Sequence, residues 1–320
     1  MENKKPTTLQ EAIIYFADFE NCKEFMVEVT WPDGKVVCPK CGSVKVTYLA
    51  NARVWKCYQK HLGAKFSLKT GTIFEDSPIG LEKWLPAVWM LVNAKNGISS
   101  YEIHRALGVT QKTAWFMMHR IRLAMQSGSF RKLGGNGKEV EVDETLIGGK
   151  ARNMHLAIHQ RRITGTGGKD KTSVMGILER KGNVRTVVIA NRRKTLLQQH
   201  VRNHVATGTA LYTDALRSYE GMAQDYTHNV IDHAKAYVNG RVHTNGLENF
   251  WSLLKRGIKG TYVSIEPFHL FRYLDEQTFR YNNRKEMNDA DRFEVALGNI
   301  VGKRLTYSEL TGKEGLSPAF

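Results

Sequence analysis

The sequence predicts a multidomain α/β protein: a small cysteine-bearing region, a run of helices, then a larger domain of alternating strands and helices. Three observations predict it. Cysteine and histidine fall in two close groups, Cys38 with Cys41 and Cys57 with His61. Apolar spacing becomes helical between Gly80 and Met125. Beyond the Gly- and Lys-rich run RKLGGNGKE (131–139), β-branched runs alternate with helical ones.

Composition bounds the partners. The 320 residues, 42% of them hydrophobic, allow two or three folded domains. Lys and Arg number 47 against 31 Asp and Glu, a formal charge of +16. A polyanion would offset that self-repulsion, so nucleic acid is the first partner to consider; a basic protein kept soluble by charge is the plainer reading. The start, MENKKPTTLQEAIIYF, has no apolar run of roughly 7–15 residues before a small-residue cleavage site. No stretch reaches the ~18 apolar residues that span a bilayer. A cytoplasmic protein without membrane partners is expected. Four cysteines in such a chain argue for metal binding or free thiols, not disulfides.

In chain order, LQEAIIYFADFE (9–20) reads as a short amphipathic helix in an N-terminal helical segment, 1–35. Trp31-Pro32-Asp33-Gly34 is a turn. Residues 36–76 lack a helical period and read as short strands and knuckles. The helical region 80–128 breaks at Asn96-Gly97 and at Gly108. The run 131–139 reads as a linker. Strands follow at 139–147, 173–180 and 184–191, a helix at 191–205, strands at 210–215 and 228–233, and a helical pattern at 245–281, interrupted near 257–267. Three strands, helix, strand, helix, strand, helix is the element order of an RNase H-like α/β domain, here over 138–285. The C-terminal segment, 286–320, begins amphipathic and reads as a packed helix, then a loose tail.

Cys38-Pro-Lys-Cys41-Gly is a C-x2-C knuckle, and Cys57-Tyr-Gln-Lys-His61 a C-x3-H. Structural zinc takes four tetrahedral N and S ligands, and a close pair on a tight turn supplies two. The 16 residues from Cys41 to Cys57 suit one strand pair between knuckles. Four protein ligands make a closed Zn²⁺ site that stabilises the fold. The alternative is buried cysteines with His61 on the surface. Cys22 has no sequence partner and reads as a packed thiol.

Residues 98–122, ISSYEIHRALGVTQKTAWFMMHRIR, suit a helix-turn-helix. Ser99 or Ser100 caps the first helix, and Ile103, Ala106 and Leu107 form its buried face. Gly108 makes the left-handed turn, and Thr110 caps the second helix. Gln111, Lys112 and Thr113 then lie where side chains reach base edges. Trp115, Met118 and Ile121 or Arg122 face back or toward phosphates. An ordinary helical hairpin is the alternative.

Asp143 lies inside the strand EVEVDETLI. Strand neighbours alternate faces, so Asp143 and Glu144 point opposite ways and only one joins a given site. Asp214 ends the strand LYTDA, and ligands bind at strand ends in open α/β sheets. Glu248 is early in the helix NGLENFWSLLKRG, whose apolar stripe is Leu247, Phe250, Leu254 and Ile258. Glu248, Trp251, Ser252 and Lys255 share a second face, which places Lys255 to meet a phosphate. Three converging carboxylates repel one another unless divalent cations join them. Two Mg²⁺ (or Mn²⁺) ions about 3.5–4 Å apart would activate a water or a 3′-hydroxyl and stabilise the leaving oxygen. Taken singly, each acid is more commonly a solvated surface group; it is the set, with its strand placement and order, that points to a metal site.

These residues resemble the DDE transposases of bacterial insertion sequences, specifically the ISXO-two-like group. The resemblance runs through ENCKEFMVEVTWPDGKVVCPKCGS, FSLKTGTIFEDSPIGLEKW, VDETLIGGK, LYTDALRSY and HTNGLENFWSLLKRGIKGTYVSIEPFHLFRYLDEQTFRYNNR. It implies Asp143 and Asp214 as the first two acids, with Glu248 as the third, 34 residues on. Asn245 is the alternative third ligand, because the group carries either Glu or Asn there. Lys255 falls where such enzymes carry a basic residue, and His243 is a further metal or phosphate contact or a helix cap. The resemblance implies binding of terminal inverted repeats by the zinc ribbon and helix-turn-helix, then strand cleavage and strand transfer into target DNA. The loop 148–172, Arg256, Lys259 and Arg272 are expected on phosphates. Joining two DNA ends implies a homo-oligomeric synaptic complex, in a bacterial, nucleoid-associated setting. Two other readings are a zinc-containing transcriptional regulator without catalysis and an RNase H-like nuclease or resolvase.

Overall fold

The computed structural model describes residues 5–126, 128, 131–135, 137–149, 155–157, 171–231 and 243–312. The chain divides into two compact units. One runs to Gln126 and resumes at Lys285; the other ends at Arg284.

The first unit opens with two helices where one was expected, α1 (Leu9–Phe16) and α2 (Phe19–Thr30). Asp18 causes the break: its carboxylate takes the Glu20 N–H and caps a new helix. The turn at Trp31–Gly34 follows, closed by Gly34 N–H on Trp31 O. Three short strands, β1 (Val46–Leu49), β2 (Val54–Cys57) and β3 (Lys65–Phe66), pair antiparallel in that order. The helix α3 (Leu81–Asn93) is buried over most of its length, with Trp84 and Trp89 in the core.

The next pair, α4 (Ser100–Leu107) and α5 (Gln111–Met125), has the expected ends. Ser99 and Glu102 form a reciprocal capping box, Gly108 turns left-handed at φ 59°, and Thr110 accepts from Thr113 N–H. The buried face differs from expectation. Ile103 is buried, but Ala106 is exposed and Leu107 half-buried. Val109, in the turn, fills the place instead, because the left-handed step at Gly108 swings it inward. Arg122 is wholly buried, so it does not face phosphates.

The second unit is built on a five-stranded sheet: β4 (Glu139–Ile147), β5 (Thr172–Glu179), β6 (Val184–Ile189), β7 (Ala210–Asp214) and β8 (Thr227–Ile231), ordered β6-β5-β4-β7-β8. Central β4 is antiparallel to β5 and parallel to β7. One face carries α6 (Lys194–His204): Leu197 and Val201 pack on Val140, Val142, Met175, Ile177 and Leu211. The other carries α7 (Asn245–Gly257) and α8 (Leu270–Asn282), where Leu247, Phe250, Leu254 and Leu274 pack on Val174, Leu178 and Val184. The alternation of β4 assigns the faces: Val140, Val142 and Glu144 go with α6, Glu141 and Asp143 with α7.

Two expectations are corrected here. Where a helix was expected between the fourth and fifth strands, two 3-10 turns stand, at Arg217–Tyr219 and Met222–Gln224. Gly221 separates them at φ 91°, and buried Tyr219 and Met222 pin each to the sheet. The run expected as a linker is partly core: Leu133 is buried, and its N–H bonds His204 O at 2.7 Å.

The chain then returns to the first unit with α9 (Asp289–Gly298) and the short α10 (Tyr307–Leu310). Phe293 of α9 completes an aromatic cluster with Phe16, Phe25 and Trp89, at centroid distances of 4.9–5.7 Å. Such pairs add to plain area burial, which accounts for the docking of the C-terminal segment.

Candidate functional site

Strands β4 and β7 are parallel neighbours, with Glu139, Val140 and Glu141 opposite Ala210, Leu211 and Tyr212. The same offset carried two residues further sets Asp143 beside Asp214. Across the sheet from Asp143 stands Gly176 of β5. A side-chain carbon at Gly176 would come within 2.6 Å of the Trp251 ring, so the glycine makes room for that indole. Trp251 Nε1 donates to Asp143 Oδ2 at 2.9 Å, and the Glu144 N–H donates to Oδ1 at 2.8 Å. Both carboxylate oxygens of Asp143 are thus oriented.

Burial pushes the Asp143 carboxyl up to about 6. The charges of Asp214 and Glu248 add to that rise, while the Trp251 and Glu144 hydrogen bonds oppose it. Three elements therefore bring three carboxylates into one electrostatic neighbourhood. They do not close to a common sphere. Among the described residues only Cys38, Cys41, Cys57 and His61 bring three or more ligand atoms within 4.8 Å of one another. Carboxylate oxygens are hard donors, the set that suits Mg²⁺ or Mn²⁺, and mutual repulsion is what a divalent cation would relieve.

A fourth acid was not foreseen as part of this neighbourhood. Glu144 faces the α6 side, where its carboxylate accepts from the hydroxyl of Tyr219. Burial pushes Glu144 up to about 7, with the charges of Asp214 and Asp143 adding and the Tyr219 bond opposing. Tyr219 lies in the turn after Asp214, so this bond ties that turn to β4. The acid itself stands in the motif VDET, but nothing local in sequence marks Tyr219 as its partner.

Lys255 lies two turns beyond Glu248 on α7. Burial lowers its ammonium, the Asp143 charge raises it, and Lys259 and Lys171 lower it further. It therefore feels both the Asp143 carboxylate and two neighbouring cations. Asn245 is exposed at the first position of α7, one turn before Glu248, which is also exposed. His243 turns toward Glu141, its Nδ1 3.6 Å from Oε1. Arg256 and Lys259 are exposed, as phosphate contacts require. Arg272 is not: its side chain is 12% exposed, beside Asp275 at 3.6 Å and over the Phe271 ring. The loop expected at 148–172 lies largely outside the described residues.

In the first unit, the zinc-ligand set is compact. Cys41 Sγ and Cys57 Sγ are 3.7 Å apart, and Cys38 Sγ is 3.5 Å from His61 Nε2. A tetrahedron with Zn–S near 2.3 Å and Zn–N near 2.05 Å has edges of about 3.8 and 3.6 Å, so these residues fit the ion. His61 Nδ1 lies 3.0 Å from Leu62 O, which turns Nε2 toward the sulfurs. Cys22 stands apart, its thiol donating to Phe16 O.

The three residues expected to read bases each have a local contact. Gln111 Nε2 donates to Ser100 Oγ at 2.8 Å, tying α5 to α4. Lys112 is exposed, with Nζ 4.7 Å from the Tyr307 ring centroid. Thr113 Oγ1 lies 2.8 Å from Thr110 Oγ1.

Residues 132–282 match a family model described as the ISXO2-like transposase domain, and residues 18–59 one described as a transposase zinc-ribbon domain. The first match contains Asp143, Asp214 and Glu248; the second contains all three knuckle cysteines. An uncharacterized protein in transposable element ISH50 of Halobacterium salinarum is 28% identical over 255 residues, covering 75% of this chain and 83% of that one. An uncharacterized transposase-like protein of Haemophilus influenzae is 32% identical over 104 residues, 32% of this chain and 84% of its own. Among the described residues no helix is long and apolar enough to cross a membrane.

Proposed function

The chain belongs to the ISXO2-like transposase family, and from that premise we propose that it binds the terminal inverted repeats of an insertion sequence and cleaves and transfers DNA strands at Asp143, Asp214 and Glu248. The observation that carries this reading is the convergence of the three acids: the parallel register of β4 and β7 sets Asp143 beside Asp214, and the charges of both Asp214 and Glu248 reach Asp143, adding to the rise that burial causes. Carboxylates brought this close raise one another's cost of ionisation, and a pair of divalent cations would offset it. The mixed five-stranded sheet of the second unit supports an RNase H-like scaffold, with two 3-10 turns in place of the helix that this order has between its fourth and fifth strands.

When bound, Mg²⁺ or Mn²⁺ ions at these carboxylates would supply Lewis acidity at the scissile phosphate and lower the pKa of the attacking hydroxyl. The chain supplies position. Asp143 and Asp214 hold from neighbouring strands, and Glu248 closes from α7. Trp251 and the Glu144 N–H fix the rotation of the Asp143 carboxylate, leaving its remaining lone pairs for a cation. Lys255 orients a phosphate oxygen; Arg256 and Lys259 hold the flanking backbone. The Cys38, Cys41, Cys57 and His61 site keeps the ribbon folded around zinc, and the α4–α5 pair serves as the helix-turn-helix, with Lys112 foremost at the exposed end of α5. Asn245 remains the alternative third ligand, and synapsis of two ends requires at least a dimer.

The test is Mg²⁺-dependent nicking of DNA carrying the terminal repeats. Nicking lost in Asp214→Asn with DNA binding retained supports the reading. Unchanged nicking in that variant removes it and leaves a basic, zinc-bearing DNA binder.

A further inference from the structure

Glu141 precedes Asp143 by two residues on β4, so both point to the α7 face. Its side chain is buried, and a buried carboxylate is costly unless its charge and lone pairs are met. Both oxygens are engaged. Oε1 accepts from Arg180 Nε at 2.9 Å, and Oε2 accepts from the Leu247 N–H at 3.1 Å. The Arg180 guanidinium lies 4.0 Å from the Tyr212 ring centroid and donates to His243 O at 2.7 Å. Glu141 therefore has little capacity left to serve as a metal ligand.

What its second oxygen grips decides its use. Leu247 N–H belongs to the first turn of α7, where backbone donors have no partner within the helix. Thr244, at the N-cap, makes no side-chain capping bond. The cap comes instead from the sheet, and a negative charge at this end also suits the helix dipole. The sequence leaves room for it: a side-chain carbon at Gly246 would lie 2.7 Å from Glu141 Oε2 and 2.5 Å from Leu178 Cδ2.

Two residues along the same strand, Asp143 grips Trp251 of the same helix. The strand advances about 6.8 Å between Glu141 and Asp143. The helix advances about 6 Å between Leu247 and Trp251. Strand and helix are thus pinned at two matched points, and Glu248 stands between the helix pins. Resting on the metal-site reading above, we infer that Glu141, held by Arg180, is a positioning residue: it fixes the start of α7 and thereby sets Glu248 against Asp143. Breaking this pin leaves α7 free to pivot about Trp251.

The experiment uses the full-length, zinc-loaded chain and two readouts. The first is amide hydrogen exchange over residues 243–251, which needs no bound divalent cation. The second is Tb³⁺ luminescence sensitised by Trp251, with Mg²⁺ competition and Asp143→Asn as the blank. Glu141→Ala should speed exchange in the first turn of α7 without a matching change in α8. It should weaken Tb³⁺ binding about 10- to 100-fold, the range for losing a residue behind the ligands. Glu141→Gln, which keeps an acceptor for Leu247, should lie closer to wild type in both readouts, and it carries the test if Glu141→Ala does not fold. Unchanged exchange in Glu141→Ala overturns the pin. So does a Glu141→Gln chain as loose as Glu141→Ala. Faster exchange with unaltered Tb³⁺ affinity overturns the link to Glu248. A wild-type chain that binds no Tb³⁺ at Asp143 overturns the metal reading, and the link to Glu248 with it, while exchange still decides the pin.

Discussion

Trp251 Nε1 and Asp143 Oδ2 meet at 2.9 Å, and this bond joins the helix bearing Glu248 to the strand bearing Asp143. The indole reaches the strand only because Gly176 leaves the space open: a side-chain carbon there would lie 2.6 Å from Trp251 and 2.8 Å from Leu247. Gly176→Ala should therefore lift α7 off the sheet. Overpacking of this kind costs about 1–3 kcal/mol. Chemical denaturation of the second unit measures that loss, and nicking of terminal-repeat DNA should fall with it. A stable, fully active Gly176→Ala chain would show that helix and strand need not be so close.

Stability of the cation-free protein should fall as pH rises from about 4 to about 7. Asp143 and Glu144 sit at about 6 and about 7, above the ordinary carboxylate range, so the folded chain keeps protons that the unfolded chain has lost. Within that window each carboxyl costs up to about 1.4 kcal/mol per pH unit, shared in part because the two feel each other. Melting temperature against pH, in magnesium-free buffer without a chelator that strips zinc, should slope less in an Asp143→Asn, Glu144→Gln chain. Added Mg²⁺ should raise the melting point at pH 8 and hardly at pH 5. An equal slope in the double variant would count against the buried-acid account.

The legible parts of the sequence were those where chemistry and local spacing coincide. The knuckles, the caps at Ser99 and Thr110, the turn at Gly108 and the apolar stripe of α7 each follow from a rule acting within a few residues. Asp143 stood out because an acid stands badly inside a β-branched strand, and Asp214 because it ends a strand, where open α/β sheets bind ligands. Glu141 escaped notice for the opposite reason: its partners Arg180 and Leu247 are 39 and 106 residues away, and only the sheet brings them together. The second N-terminal helix was missed because its start depends on one Asp18 cap. Arg272 was expected at the surface from charge alone, yet its position on α8 turns it inward.

Thiol chemistry should separate the two cysteine environments. Burial pushes the Cys22 thiol up to about 12, so it should react slowly in any state of the ribbon. Cys38, Cys41 and Cys57 should be protected by one bound zinc per chain and become reactive together once a strong chelator removes it. Metal analysis with timed thiol labelling checks both points. Rapid labelling of the knuckle cysteines in a chain that still holds its zinc would contradict the assigned ligands.

Salt dependence should sort the basic residues. Lys112→Ala, Arg256→Ala and Lys259→Ala should each lower the slope of log affinity against log salt by about one, as expected for loss of one phosphate contact. Arg272→Ala should leave the slope unchanged and lower the melting temperature instead, because its guanidinium is largely buried beside Asp275. A reduced slope in Arg272→Ala would return that residue to the DNA surface.

The most direct test of the metal-site account is anomalous scattering from crystals grown with Mn²⁺ and terminal-repeat DNA. The account predicts two manganese peaks about 3.5–4 Å apart, ligated by Asp143 and Asp214, with Glu248 completing the set. Manganese ligated by Asn245 with Glu248 turned away would contradict the choice of third ligand. The absence of any manganese at Asp143 in such crystals would contradict the account as a whole.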